Sequence, residues 1–256
     1  MHVYFNESEI QFFFLIFCRT LGLILSAPIF SNSSLIPQLK IGLALLVSYL
    51  LSHVIPINPN FPLGTSSLLY CIATETFIGV LIGFTSHFIL DGIQLGGQLI
   101  GFQVGFSVVN VIDPNTSAQS SLISIFHGIF SLFLFLSING HHWFLSAIRD
   151  SFMLIPPGNL NIHGNIILFL TEASSQLFVV SVKIAAPVVI VLLLSDVAMG
   201  AIARTVPQIQ ILIVAFPLKI GVGLIVMGLS MTYFAGNMHT FFHQIHLNIY
   251  RLLKII

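Results

Sequence analysis

Residues Ala185–Lys219 read AAPVVIVLLLSDVAMGAIARTVPQIQILIVAFPLK, an apolar run interrupted by polar residues where hydrophobicity alone would place none. Asp196 and Arg204 stand inside it, about two helical turns apart, so they share a face without touching each other. An ionised side chain in hydrocarbon costs roughly 2.5–3.5 kcal/mol on insertion scales, so such residues turn toward protein or water. Pro187, Pro207 and Pro217 each withhold a backbone donor, and lipid tolerates that only where neighbours satisfy the freed carbonyl. The stretch therefore predicts helix that lies against other protein, not helix that merely crosses a bilayer.

The whole chain extends this reading. Of 256 residues, 56% are hydrophobic and only 6% are charged, eight basic and eight acidic. A soluble domain carries about 25% charged residues, so the expected class is an integral membrane protein or an obligate hydrophobic subunit. Zero net charge and the lack of basic clusters argue against a nucleic-acid partner. Cys18 and Cys71 sit singly in apolar segments and read as buried thiols. Glu7 and Glu9 precede the first apolar run and Arg19 interrupts it, which predicts a retained N-terminus.

Prolines and charges divide the chain into helices, and the expected fold is all-α and polytopic, with about six to eight long, partly kinked helices. The expected segments are Ile10–Pro28, Leu39–Ile55, Thr65–Leu90, Gly92–Val109, Leu122–Ile138, a short helix in His141–Leu154, a long one from Ile162 past Ser195, and Ile209–Phe234. The third and fourth are either continuous or bent at Asp91–Gly92, and a mildly polar tail follows the last. Pro56, Pro59 and Pro62 force an extended loop, and Asn110–Ser121 (NVIDPNTSAQSS) is rich in turn formers. With no long polar linker, residues 1–256 read as one domain.

Three patterns carry candidate function. Glycines recur at helical spacing: Gly79 and Gly83, Gly92 and Gly96, then Gly97, Gly101 and Gly105. Such stripes let backbones approach closely, either within the chain or against other subunits of an assembly. The loop led in by Val108, Val109, Val111, Ile112, Asp113 and Pro114 is either a surface turn or a segment folded back into a protein-lined cavity. Arg19, Glu75, Asp91, Lys183, Asp196, Arg204 and Lys219 are intramembrane charges, suited to pairing between helices, to an ion relay, or to snorkelling. The ten histidines show no metal spacing, and no HExxH, GxSxG or Gly-x-Gly-Asp signature is present, so no catalytic residue, metal or cofactor is expected.

Five segments in order, APIFSNSSLIPQLKIGLAL (27–45), ETFIGVLIGF (75–84), GGQLIGFQVGFSVVNVIDP (96–114), NGHHW (139–143) and the stretch quoted above, resemble the FliR family. This is the R subunit of the flagellar type III export gate, related to the T-type export subunits of injectisomes. The resemblance implies a single-copy, non-enzymatic subunit of the bacterial inner membrane, within the flagellar basal body. It implies about five P-type and four Q-type partner subunits, whose helices spiral with its own around a pore that passes unfolded flagellar proteins. It also implies a pore plug in the loop after the glycine-rich helix, here Phe106, Val108, Val109, Val111, Ile112, Asp113 and Pro114. A dewetted apolar constriction of this kind blocks ions without a charged filter. Lys40, Glu75, Asp196, Arg204 and Lys219 are then expected to set register with partners. A secondary transporter using the intramembrane charges is the alternative, but such folds often repeat their halves and no internal repeat is visible here.

Overall fold

Apolar runs become helices wherever proline, glycine or a capping serine marks their ends. A computed structural model describes residues 7–30, 36–56, 64–106, 121–158, 160, 166–205 and 211–256, the side chains of 211 and 212 excepted. Among these are seven α-helices and no strand: α1 (Glu7–Ser26), α2 (Pro37–Ser52), α3 (Thr65–Val104), α4 (Leu122–Ser137), α5 (His141–Leu154), α6 (Ile166–Thr205) and α7 (Ile211–Ile255). The ends have local causes. Pro37 opens α2, where its missing N–H is no loss. The Ser121 hydroxyl caps α4 by accepting from the Ser124 N–H at 3.2 Å. Asn139 takes φ 56 between α4 and α5, a left-handed conformation that asparagine tolerates better than most residues.

Among the described helices, α1, α3, α6 and α7 are long and apolar enough to cross a membrane, and α4 with α5 forms an interrupted pair that also qualifies. At 16 residues, α2 spans about 24 Å, short of a hydrocarbon core about 30 Å thick. The chain is an all-α, polytopic membrane protein.

The sequence left one point open and misled at another, and both have clear reasons. α3 runs unbroken through Asp91–Gly92 for 40 residues, because Gly92 provides a packing contact there, not a turn. The tail after Phe234 is helical to Ile255 as part of α7, and Ile245, Ile249, Leu252 and Leu253 bury one stripe of it at i, i+4, i+7 and i+8.

Two compact units make up the fold, and α3, α6 and α7 contribute residues to both. The first comprises residues 1–88, 139–173 and 244–256. Its core includes Phe12, Leu15, Ile16, Leu23, Ile78, Ile82, Phe144 and Phe152. There α1 meets α3 across glycines on both sides: a methyl on Gly22 would lie 2.6 Å from the Thr76 carbonyl oxygen, and one on Gly79 would overlap the Arg19 carbonyl. Backbones this close leave van der Waals packing, not hydrophobic exclusion of water, to hold helices together in lipid.

The second unit comprises residues 89–138 and 174–243. Ile100, Val104, Ile123, Ala185, Val188 and Leu192 form its centre, with Phe106, Ile220, Val226 and Met227 packed on it. Phe135 and Phe242 meet edge to face at 5.1 Å farther along.

Candidate functional site

In the second unit, the end of α3 is built with care. Gly105 has φ 101, the Gly105 N–H donates to the Phe102 carbonyl at 3.1 Å, and the Phe106 N–H donates to the Gly101 carbonyl at 3.0 Å. Those two bonds form a Schellman stop, and a left-handed glycine is what the stop requires. The helix therefore ends at Val104, five residues before the expected Val109. Phe106 packs on the apolar centre of the unit. Val108, Val109, Val111, Ile112, Asp113 and Pro114, the rest of the expected plug, lie outside the described residues.

Just before that stop, a polar cluster joins three helices. Asp196 of α6 accepts from Lys219 Nζ of α7 at 2.5 Å and from Gln103 Nε2 of α3 at 3.2 Å. The pair is partly exposed, with Lys219 at 24% and Asp196 at 36% of full side-chain exposure. Its placement follows from the chain path. Asp196 precedes Thr205, the last residue of α6, by nine positions, and Lys219 follows Ile211, the first of α7, by eight. Reversal between them brings the two side chains to one level. That near-symmetry about Pro207 was available in the sequence; Gln103, one of three glutamines among the glycines with Gln94 and Gln98, gave no such signal.

The glycine stripes face the chain itself. A methyl on Gly92 would lie 2.8 Å from the Leu177 carbonyl oxygen, and one on Gly96 3.0 Å from that of Ser181, so both serve the α3–α6 approach. On Gly97 it would lie 2.7 Å from Ser124 Cα, and on Gly101 it would overlap the Ser121 side chain, both at the start of α4. Gly105 faces Phe216 of α7. In the first unit, Gly79 and Gly83 serve α1.

The register charges divide. Glu75 is wholly buried and spends its charge within the first unit: Arg19 Nε donates to its Oε2 at 2.6 Å and the Gly158 N–H donates to its Oε1 at 3.3 Å. Arg19 also donates to Ser151 Oγ at 2.9 Å and to the Ile155 carbonyl at 3.1 Å, and stacks 3.8 Å from the Phe152 ring centre. Lys40 on α2 and Arg204 in the last turn of α6 have no ion-pair partner among the described residues. Arg204 is suited to the negative end of its helix.

Among the described residues no three His, Cys, Asp or Glu side chains gather as a metal site. The site is thus a set of helix faces, one helix stop and one ion-paired junction, arranged for packing and support.

The family model for bacterial export proteins, family 1, matches residues 10–245. The flagellar biosynthetic protein FliR of Escherichia coli (strain K12) is 31% identical over 238 residues, 93% of this chain and 91% of that protein. FliR of Bacillus subtilis (strain 168) is 32% identical over 223 residues, 86% of each. FliR of Aquifex aeolicus is 28% identical over 204 residues, 79% of this chain and 78% of the relative. With the match running nearly end to end, the chain belongs to the bacterial export proteins of family 1, among the FliR-type flagellar biosynthetic proteins.

Proposed function

We propose that this chain is the single R-type subunit of the flagellar export gate and that its helices form part of the wall of the protein-conducting pore. As a flagellar export component it works with other subunits of that apparatus. On this reading those subunits are about five P-type and four Q-type chains in the inner membrane, within the basal body. The supporting observation is apolar surface left uncovered: of the most apolar stretch of α7, only 6% is buried within the chain. Leu224, Ile225, Leu229 and Tyr233 stand exposed along it. A pore subunit with partners on its flanks needs such faces.

The segment after the Gly105 stop then serves as the plug. Phe106 is held on the core of the second unit, so the plug would hang from a fixed point. The chain makes and breaks no covalent bond on this reading; substrate displaces the plug and other components supply the energy.

The test is export itself. A strain lacking this chain should keep its flagellar subunits inside the cell, and the full chain supplied in trans should restore their appearance in the medium. Undiminished export without it would refute the proposal. Loss of small-solute uptake with export intact would instead point to the secondary transporter.

A further inference from the structure

The two faces of α6 differ in kind. Val180, Ser181, Ile184, Ala185, Val188 and Leu192 are buried, turned toward the glycines of α3 and the core of the second unit. On the opposite side Val179, Lys183, Ile190, Leu194 and Val197 are all exposed. At 100° per residue these five fall within about 60° of one another, a single stripe. It is about 27 Å long, close to the thickness of a bilayer's hydrocarbon. Lys183 is its only charged member.

Two polar groups meet at that one position. The Lys183 ammonium has no ion-pair partner among the described residues. Its backbone carbonyl lacks the usual helical donor, because the residue four positions on is Pro187, which has no N–H. Hydrocarbon satisfies neither group. A lipid phosphodiester could neutralise the ammonium but itself has no hydrogen to give the carbonyl, so one lipid would have to bring a headgroup hydroxyl there as well. Glu75, Asp150, Glu172 and Asp196 each already pair with a basic residue of this chain.

We infer that Lys183 anchors the outward stripe of α6 to an apolar helix of a partner subunit, which brings one carboxylate to the ammonium and a hydroxyl or amide donor to the carbonyl beside it. The inference rests on the export-gate reading and adds the chemistry of the contact. Among the described residues with charges inside apolar helices, the carboxylates Glu75, Glu172 and Asp196 pair within the chain and Asp91 is engaged as well, while Lys183 has no ion-pair partner. On this inference the acid at the interface comes from the partner.

The experiment co-expresses the tagged full chain with P- and Q-type subunits and measures partner recovered per chain. Lys183→Glu should lower recovery about tenfold or more, Lys183→Met several-fold, and Lys183→Arg little, since a tenfold loss needs only one such contact. A partner Asp or Glu changed to Lys should restore recovery with Lys183→Glu. Because the side chain is exposed, each variant purified alone should melt with the wild type, which separates lost docking from lost folding. Equal recovery for wild type and Lys183→Glu would overturn the inference while leaving the export-gate reading intact. So would a Lys183→Glu effect confined to phosphatidylglycerol-containing vesicles and absent from phosphatidylcholine ones, which would assign the stripe to lipid. Failure of the wild type to recover any partner would instead refute the export-gate reading.

Discussion

Replacing Glu75 with alanine leaves Arg19 as a wholly buried cation facing a serine hydroxyl, one carbonyl and an aromatic ring. Removing one member of a buried ion pair costs about 3–5 kcal/mol, because the survivor stays desolvated and uncompensated. The Gly158 N–H also loses its 3.3 Å acceptor, which adds on the order of 1 kcal/mol. In a chain of this size each kcal/mol moves a melting midpoint about 2–4 °C, so a total of about 4–6 kcal/mol should lower thermal unfolding in detergent by roughly 8–24 °C. Removing both charges, as Arg19→Met with Glu75→Leu, leaves no orphan ion and should recover most of the loss. A double-mutant cycle should then give a coupling of about 2–4 kcal/mol. A Glu75→Ala midpoint within 2 °C of wild type, or a double mutant equal to the sum of the singles, would refute the claim that this pair ties α1, α3 and α5 together.

Other substitutions probe the remaining features. Gly97→Val puts side chain where Ser124 Cα stands 2.7 Å from even a methyl, so α3 and α4 must separate and purified chain should lose about 1–3 kcal/mol or more of stability. Gly228→Ala meets nothing within 4 Å and should leave the melting of the isolated chain unchanged to about 0.5 kcal/mol, as expected away from packed features. Asp196→Asn removes the carboxylate from Lys219 and should lower the amount of chain held in the membrane, measured by blotting. Pairing it with Lys219→Met should restore that amount, and no restoration would mean the pair is not a unit. Deleting residues 108–114 should make the assembled pore leak ions in a vesicle conductance assay; an ion-tight pore would remove the plug from that segment.

Helix identity was legible because apolar runs and their stops are local. Leu122 follows a capping serine, and the short helix His141–Leu154 begins just after Asn139–Gly140. Continuity was harder. Asp91–Gly92 carries the residues of a turn, yet the glycine there serves a neighbour, Leu177, that sequence distance conceals. His239, His243, Gln244, His246 and Asn248 made the tail read as polar, while Ile245, Ile249 and Leu252 kept the helical stripe. The intramembrane charges were visible as residue types, but their pairing was not. Arg19 meets Glu75 across 56 positions because glycines draw α1 and α3 together. The glycine stripes gave no sign of whether they served this chain or its partners, since close approach is the same physics in both cases.

Whether this chain is one subunit among others of an export gate is decided by the native mass of the co-expressed complex. With P- and Q-type subunits present, the expected result is a heteromeric assembly holding one copy of the 28.1 kDa chain. A detergent-stable monomer or homodimer that ignores those subunits would contradict it.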